Sequence, residues 1–478
     1  MEVIGRNREK KKLDEIMNSD RPEFVAIFGR RRIGKTFLIR EYLKENIVFD
    51  FTGTFDATLE IQLQNFFQVY LQSTKGQRET ISPGNWSQAF QYLANYLLGL
   101  NEIAGKIVVF LDEMPWMNTP RSGFLSALEY FWNQHGSRMP KLVLIACGSA
   151  STWMQKELIE ARGGLHNRVT QRIHLMPFTL AETEAFCNYK NLALTRYQII
   201  QLYMAFGGIP FYLNEIKKGK SATQIIDETC FTEQGLLNSE YNYLLASLFK
   251  NAENHLKVIE ALASFPQGLT RNEILKITKL ADGGTINRAI GELENSGFIT
   301  RQLPFQKKTK DTLYKLFDLY CLFYLKFIKP NKPAGEGTWL NIANGPAYKA
   351  WSGYAFENIC AMHIDEIKKA LGISGVYSNV SAWKFNGNDE LPGAQIDLLI
   401  DRNDKVVNLC EAKFSDKEFV ITKDYAQELR KKKLVFEQIT KTKKSVFTTL
   451  LSTYPALQNK YYLEEIQSEV TMDALFGG

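Results

Sequence analysis

Short runs of consecutive apolar residues alternate with amphipathic stretches along the first third of the chain. Three of these runs lie within Glu23–Phe28, Lys106–Leu111 and Leu142–Cys147, of which the first two open with a charged residue. Between them, segments such as 86–100 and 123–134 repeat apolar residues at helical spacing. Strands that are apolar on both faces are typical of a parallel sheet covered by helices on each side. The pattern therefore predicts an α/β domain with a parallel sheet over residues 1–180.

The apolar pattern changes after this region. Residues 181–250 are predicted to be helical, with a break at Gly207–Pro210, and we interpret them as a helical lid. Residues 251–330 predict three short helices followed by two strands, which is the order found in a winged helix-turn-helix. A polar, glycine-containing linker is predicted at 331–345, and a separate α+β pattern occupies residues 346–478.

The composition is that of a globular protein with several domains. The chain has 478 residues, of which 45% are apolar and 23% charged. The net charge of +6 is too small at this length to indicate nucleic-acid binding by itself. No apolar run approaches the ~20 residues that span a bilayer, no secretory signal is recognisable, and the cysteines lack C-x-x-C spacing. We therefore expect a cytoplasmic protein with no membrane contact.

A basic, glycine-containing loop follows the first apolar run and precedes a helical stretch. Gly29–Thr36 satisfies the pattern G-x-x-x-x-G-K-[ST] in the strand–loop–helix context that this motif requires. The backbone N–H groups of such a loop bind phosphates at a helix N-terminus. Lys35 is predicted to neutralise the β and γ phosphates of ATP, and Thr36 to offer its hydroxyl to Mg²⁺. The residues predicted to line the nucleotide are Gly29, Arg31, Arg32, Ile33, Gly34, Lys35, Thr36 and Phe37.

Acidic residues end the second apolar run. A carboxylate at the carboxyl end of a strand can reach a Mg²⁺ ion, so Asp112 is the predicted metal residue and Glu113 the predicted catalytic base. The third run ends in Gly148–Ser151, where a polar side chain either senses the γ-phosphate or forms an ordinary turn. The arginines of the loop, Arg30–Arg32, either help to hold phosphate or are merely solvated.

An ordered set of motifs resembles the archaeal-type ATPases related to the STAND and AAA+ proteins, over about the first 330 residues. These motifs are Ile4–Glu9, Gly29–Thr36, Asp112–Trp116, Gly148–Ser149, Asn167–Thr170 and Gly207–Pro210. The resemblance implies that Arg6 and Pro210 lie near the adenine. It also implies that Arg168 acts near the nucleotide or reaches that of a neighbour. Asn167 departs from the family pattern, which has glycine at this position.

The C-terminal region carries a second acidic constellation. Gln395–Ile400 and Val406–Lys413 are predicted to be neighbouring antiparallel strands, so Asp397 and Glu411 can point at one metal. Lys413 faces the same side as Glu411 because side chains alternate along a strand. Two carboxylates and a lysine on one sheet edge can bind Mg²⁺, activate water and stabilise a phosphate that is under attack.

This arrangement resembles the PD-(D/E)xK nuclease superfamily over about residues 345–450. The resemblance implies that Glu357, on a helix predicted at 355–370, is a further acid of the metal site. Pro392 departs from the pattern because it stands five residues before Asp397 rather than directly before it. The region is either an active restriction-endonuclease-like domain or a nuclease-like fold that only binds or signals.

Basic residues give a weaker indication of DNA binding. The cluster Arg430–Lys433 with Lys441, Lys443 and Lys444 fits either a phosphate backbone or a solvated helix face. In the predicted winged helix, the candidate contacts are Asn287, Arg288, Arg301, Lys307, Lys308 and Lys310, and protein docking is the alternative role.

The predicted function is an ATP-dependent switch, with ATP and Mg²⁺ as cofactors, that controls a metal-dependent nuclease acting on DNA. The alternative is a regulatory protein whose ATPase cycle changes its binding to partners or DNA without cleavage. A protein partner or a second copy of the chain fits either function.

Overall fold

A computed structural model of the chain describes residues 2–76, 79–100, 104–160, 165, 167–249 and 252–477. These residues divide into two compact units, Met1–Pro177 and Phe178–Gly478. The predicted boundary between the lid and the winged helix, at residues 250 and 251, lies outside the described residues. The other predicted domain boundaries within the second unit stay predictions.

The first unit contains a five-stranded parallel sheet with the strand order β2-β3-β4-β1-β5. Its strands are β1 (Glu23–Phe28), β2 (Ile47–Thr52), β3 (Ile107–Asp112), β4 (Leu142–Gly148) and β5 (Gln171–His174). Its helices are α1 (Asn7–Met17), α2 (Lys35–Tyr42), α3 (Leu59–Thr74), α4 (Trp86–Leu98), α5 (Met114–Met117), α6 (Phe124–Gln134) and α7 (Ser151–Trp153). The predicted α/β class with a parallel sheet is confirmed for this unit.

The strand order follows from burial and positions the loops that matter. Every residue of β1, β3 and β4 is buried, as expected for central strands covered on both faces. β4 pairs with β1 on one side and with β3 on the other. The carboxyl end of β4 therefore lies between the loop that follows β1 and the acidic residues that end β3.

The second unit begins with helices, in the region predicted as a lid. They are α8 (Leu180–Tyr189), α9 (Arg196–Phe206), α10 (Pro210–Asn214), α11 (Ala222–Cys230) and α12 (Leu236–Leu248). The predicted break is present between α9 and α10. Gly208 has a φ of 65°, and a Cβ at this position would lie 2.4 Å from the carbonyl oxygen of Phe178. Only glycine fits here without moving the backbone.

Three helices and a small antiparallel sheet follow in the region predicted as a winged helix. The helices are α13 (Ala252–Ala263), α14 (Arg271–Thr278) and α15 (Gly284–Asn295), and the sheet has the order β6-β8-β7. Its strands are β6 (Leu269–Thr270), β7 (Ile299–Gln302) and β8 (Leu313–Leu316). The short β6 was not predicted. α14 begins with a capping box, in which the Thr270 hydroxyl accepts from the Glu273 backbone N–H.

The segment predicted as a linker is packed rather than extended. α16 (Leu319–Phe323) precedes it, and α17 (Thr338–Ile342) lies within it. Trp339 is 1% exposed. The buried carboxylate of Asp227 accepts hydrogen bonds from the backbone N–H groups of Gly337 at 2.7 Å and Trp339 at 2.6 Å. A polar, glycine-containing sequence predicted a linker, but one tryptophan and one distant aspartate hold the segment against the helices.

The C-terminal sheet has five strands in the order β13-β12-β11-β10-β9. Its strands are β9 (Ser378–Phe385), β10 (Ala394–Arg402), β11 (Val406–Lys413), β12 (Ser445–Ser452) and β13 (Ser468–Thr471). β9, β10 and β11 are antiparallel neighbours, whereas β11, β12 and β13 are parallel. The helices of this region are α18 (Pro346–Met362), α19 (Ile364–Ala370), α20 (Lys423–Thr440), α21 (Lys460–Glu465) and α22 (Met472–Leu475).

The helix predicted at 355–370 is two helices in the structure, separated at His363. The imidazole is buried and bridges two backbone groups. Its Nδ1 bonds to the Ile359 carbonyl at 2.8 Å, and its Nε2 accepts from the Leu180 N–H at 2.9 Å. Burial lowers the pKa of His363, which keeps the ring neutral and able to accept.

Candidate nucleotide site and C-terminal acidic site

The loop after β1 has the backbone shape that a phosphate-binding loop needs. Gly29 has a φ of 146°, and a Cβ on it would lie 2.2 Å from the Leu175 carbonyl oxygen. Gly34 has a φ of 87° and immediately precedes α2. The loop is therefore bent tightly against the sheet and leads directly into a helix N-terminus, where backbone N–H groups can bind an anion.

Arg6 lies against this loop. It is 4% exposed, and its guanidinium donates to the carbonyl oxygens of Met176 at 2.6 Å and Ile33 at 2.9 Å. Arg6 directly precedes α1, so it ties the start of that helix to the phosphate-binding loop. Ile33 is fully buried, whereas the Phe37 side chain is 40% exposed. Both Arg31 and Arg32 are half-buried.

Lys35 and Glu113 are connected through one hydroxyl. The ammonium of Lys35, 4% exposed, donates to the carbonyl oxygens of Gly29 at 3.0 Å and Arg30 at 2.9 Å, and to Ser149 Oγ at 3.0 Å. Ser149 in turn donates to Glu113 from its hydroxyl at 2.6 Å and from its backbone N–H at 3.1 Å. Ser149 follows β4, so the strand order places it between the loop and the acid.

The predicted Mg²⁺ residues also meet in the structure. Thr36 Oγ1 donates to Asp112 Oδ2 at 2.8 Å, and Asp112 Oδ1 accepts from the Glu113 backbone N–H at 3.0 Å. A hydroxyl and a carboxylate are hard oxygen donors of the kind that Mg²⁺ prefers, so this pair fits the ion chemically. Burial raises the pKa of the neighbouring Cys147 thiol well above its ordinary value, which keeps that side chain uncharged beside Asp112.

Arg168 and Pro210, the other two candidates from the resemblance, have no described contact that tests their roles. Arg168 is exposed, in a turn after the residues that the structure leaves undescribed. Asn167 has a φ of 56°, a left-handed conformation that asparagine tolerates better than most residues. This conformation explains how asparagine replaces the glycine of the family. Pro210 is the first residue of α10 in the second unit, so its predicted contact with adenine stays a prediction.

The C-terminal acids occupy neighbouring strands, as predicted. Leu398 of β10 pairs with Cys410 of β11, and Asp397 and Glu411 are the adjacent residues. Glu411 is half-buried between two cations, with its carboxylate 3.0 Å from Lys413 Nζ and 3.1 Å from Lys432 Nζ. The Tyr425 hydroxyl donates to the same carboxylate at 2.7 Å.

Asp397 and Glu357 complete this acidic site. Asp397 Oδ1 accepts from Gln395 Nε2 at 2.6 Å and lies 3.8 Å from the ammonium of Lys315 on β8. Glu357 lies on α18 and is half-buried. Burial, followed by the charge of Asp397, raises the pKa of Glu357 to about 8.

The pKa of Glu411 is shifted in the opposite direction from that of Glu357. Burial alone would raise the pKa of Glu411, but the ammonium groups of Lys432 and Lys413 hold it below its ordinary value. The acid is therefore ionised beside two cations. The ion pairs described at this site belong to Asp397 and Glu411, and none is described for Glu357. Glu357 therefore binds a proton more readily than Glu411 does.

The predicted metal ligands are not assembled as a coordination shell. Among the described residues, no group of three or more histidine, cysteine, aspartate or glutamate side chains is arranged to hold a metal ion. The carboxylates have the right chemistry for Mg²⁺, yet lysine ammonium groups lie beside Glu411 and Asp397. Of these lysines, the sequence predicted only Lys413. Lys432 stood within a basic run, and nothing in the sequence distinguished Lys315.

Several of the residues considered for DNA have side-chain partners within the chain. Arg301 pairs with Glu294, and Asn287 accepts from Arg271 Nε at 2.7 Å. Arg430 pairs with Glu465, and Lys444 donates to Asp401 at 2.5 Å. Arg288, Lys307, Lys308 and Lys310 are exposed. No helix within the described part of the chain is long and apolar enough to cross a membrane.

Comparisons with known proteins agree with the loop geometry. Residues 4–216 match a family described as an ATPase domain predominantly from Archaea. The protein MJECL04 of Methanocaldococcus jannaschii is 25% identical over 439 residues, which cover 90% of this chain and 92% of that protein. The similarity to this relative therefore extends through the C-terminal region.

Solved structures give weaker likenesses. The Walker-type ATPase PABY2304 of Pyrococcus abyssi is 17% identical with a TM-score of 0.49, covering 68% of this chain and 96% of that one. The ORC2 protein of Aeropyrum pernix is 13% identical with a TM-score of 0.42, and the match covers 72% of this chain and 96% of that one. Both TM-scores are below 0.5, so neither likeness determines a function. The family match and the geometry around Lys35 together support an archaeal-type P-loop ATPase domain in this chain.

Proposed function

We propose that the chain is an ATP-binding and ATP-hydrolysing switch that controls its nuclease-like C-terminal region. The observation that carries the proposal is the hydrogen-bonded chain from Lys35 through Ser149 to Glu113. In this chain, one hydroxyl contacts both Lys35, the cation that would bind the phosphates, and Glu113, the carboxylate that would take a proton. Such an arrangement can transmit the presence of a nucleotide to the catalytic base.

Each residue of the site has a distinct part in this proposal. Lys35 donates to the Gly29 and Arg30 carbonyls, and we expect it to exchange these neutral partners for charged phosphate oxygens, which form stronger hydrogen bonds. Thr36 and Asp112 would hold Mg²⁺. When bound, this ion neutralises phosphate charge. Glu113 would orient the attacking water and accept its proton.

Arg6, Arg168 and Pro210 have secondary parts. The bonds of Arg6 to Ile33 and Met176 support a role in shaping the loop, near the adenine as the resemblance implies. Arg168 is exposed, which suits an arginine that reaches the nucleotide of a second copy of the chain. Pro210 keeps the part that the resemblance implies, near the adenine.

The C-terminal acidic site would act as a metal-dependent nuclease. Asp397, Glu411 and Glu357 would supply oxygen ligands for Mg²⁺, which activates water and stabilises phosphate charge when bound. Lys413 would stabilise charge on the phosphate under attack. The strand pairing of Leu398 with Cys410 and the mutual influence of the three acids support this assignment. DNA is the proposed substrate.

A second function is favoured by one specific observation. Lysine ammonium groups lie beside Glu411 and Asp397, so the negative charges of these two acids are already balanced by cations of the chain. A nuclease-like region in this state could bind or signal without cutting. The ATPase cycle would then change binding to a protein partner or DNA.

The two functions are separated by a cleavage assay on the full chain. Single-stranded and double-stranded DNA are incubated with Mg²⁺ or Mn²⁺, with and without ATP. Cleavage by the wild-type chain that disappears in Asp397→Ala supports the nuclease. ATP hydrolysis without cleavage under every condition supports the second function. No hydrolysis of ATP contradicts the switch itself.

A further inference from the structure

The hairpin of β7, β8 and the loop between them, residues 299–316, which we call the wing, is docked on the C-terminal sheet of the same unit. The Phe305 N–H donates to the Ala382 carbonyl of β9 at 2.8 Å, and Gln306 Nε2 donates to the Thr440 carbonyl at 3.3 Å. The Phe305 ring lies 5.5 Å from Phe436, against the apolar core that contains Trp383. The wing is therefore held by an apolar anchor and two backbone groups.

One strand of the wing, β8, lies beside the acidic site. Asn358 Nδ2 of α18 donates to the Leu316 carbonyl of β8 at 3.4 Å, one residue from Glu357. The neighbouring Lys315 extends its side chain toward β10 and is only 12% exposed. Its ammonium lies 3.8 Å from Asp397 Oδ1. A lysine from the three-stranded sheet thus contributes a charge to a site formed by other elements.

Lys315 differs in origin from the other cations of the site. Lys413 belongs to β11 and Lys432 to α20, so both remain beside Glu411 whatever the wing does. Asp397 accepts one neutral hydrogen bond, from Gln395, and has its described ion pair with Lys315. The charge that balances Asp397 therefore depends on the docking of another part of the chain.

Charge rather than lack of space would keep a metal ion from these acids. A cavity of about 590 Å³ is bordered by Glu357, Asn358, Leu316 and Tyr354, so the edge of the site has room for solvent and ions. A divalent cation at Asp397 would stand close to the ammonium of Lys315. Like charges at such separations repel strongly where water is scarce.

We propose that the wing is a plug of the C-terminal acidic site, in which Lys315 excludes a divalent cation from Asp397 until the wing leaves. The inference rests on the proposed function, in which these acids bind a hard divalent ion. It adds a competitor that is built into the chain and a segment that must move. Because competition is reciprocal, metal binding would also weaken docking of the wing.

Metal affinity in the full chain tests the proposal directly. Mn²⁺ binding is measured by calorimetry and by the loss of the free-ion EPR signal, with the phosphate-loop site silenced by Lys35→Ala and Asp112→Asn in every sample. Lys315→Met keeps the stem of the side chain and removes its charge. We expect its Mn²⁺ affinity to rise at least about tenfold, since one close like charge is removed. The matched control is Lys276→Met, at an exposed lysine of α14, which should leave the affinity unchanged.

A second variant tests the plug through its anchor. Phe305→Ser should release the wing and raise the Mn²⁺ affinity in the same direction, while Lys315 stays intact. In the chain that carries only the two phosphate-loop substitutions, saturating Mn²⁺ should accelerate amide hydrogen exchange of Phe305. Asp397→Asn should abolish both effects.

The outcomes separate the plug from the nuclease. Equal, measurable Mn²⁺ affinity with and without Lys315 overturns the plug and leaves the metal site intact. Tighter binding in Lys315→Met without cleavage of DNA supports the plug and contradicts the nuclease. No Mn²⁺ binding by any folded variant overturns the metal site and the plug with it.

Discussion

Ser149 holds the carboxylate of Glu113 with both its hydroxyl and its backbone N–H, at 2.6 and 3.1 Å. The same hydroxyl accepts from Lys35 at 3.0 Å. A base held at two points has a defined orientation, and a nucleotide that draws Lys35 away would change the environment of the shared hydroxyl. Ser149 is therefore a positioning residue for the proposed base.

Ser149→Ala should slow hydrolysis more than it weakens nucleotide binding. The backbone N–H still holds one oxygen of Glu113, but the second bond is lost, and misplacement of a catalytic group commonly costs roughly ten- to hundredfold in rate. Steady-state kinetics would show a fall in kcat with a KM for ATP within a few fold of wild type. Ser137→Ala, in the same unit and hydrogen-bonded only to the Asn133 carbonyl among its described contacts, serves as the control. A normal kcat would remove Ser149 from the mechanism.

Lys35→Ala should weaken ATP binding by about a hundredfold, because hydrogen bonds to charged groups contribute up to ~3 kcal/mol. The variant leaves the Gly29 and Arg30 carbonyls without this ammonium, so folding is checked by circular dichroism. Fluorescence titration with an ATP analogue measures the affinity. Lys44→Ala, at an exposed lysine beyond α2, should bind like wild type. Wild-type affinity in Lys35→Ala would refute the assignment of the loop.

Glu113→Gln should bind ATP but hydrolyse it about a hundredfold or more slowly. Glutamine keeps the length of the side chain and can still accept from Ser149, whereas it cannot take a proton from water. Single-turnover hydrolysis, measured alongside binding, separates the two effects. Undiminished turnover would move the base elsewhere, with Asp112 the next candidate.

Asp397→Ala or Glu411→Ala should eliminate divalent-metal binding at the C-terminal site and any DNA cleavage, whereas Lys413→Ala should spare the metal and slow cleavage. ATP hydrolysis should be nearly unchanged in all three, since the acids belong to a separate core. Removing Glu411 also leaves Lys432 and Lys413 without their shared partner, so each variant is checked for folding. Metal binding that persists in both acid variants would contradict the assignment.

Asp227→Ala should destabilise the second unit by about 2 to 4 kcal/mol, because it leaves the buried N–H of Trp339 and the partly buried N–H of Gly337 unsatisfied. Asp227→Asn retains one acceptor oxygen, so its loss of unfolding free energy should be about half that of Asp227→Ala. The midpoints of urea unfolding, compared with wild type, measure the effect. Equal midpoints for Asp227→Ala and wild type would show that the segment around Trp339 does not depend on this side chain.

The amino-acid sequence by itself determined the central strands and the phosphate-binding loop. β1, β3 and β4 are apolar over nearly their whole length because both faces of each are covered, and this pattern is local. β2, which is only partly buried, and β5, which is short, escaped prediction because neither has that pattern. The motif Gly29–Thr36 is likewise local, since its chemistry depends on adjacent residues.

The tertiary structure decided which distant side chains meet. Ser149 lies between Lys35 and Glu113 because β4 inserts between β1 and β3, and strand order cannot be read from apolar periodicity. Lys315 and Lys432 reach the C-terminal acids from elements that no spacing rule connects to them. A carboxylate predicts that some cation will be near it, whereas the packing of the whole unit determines whether that cation is a metal ion or a lysine.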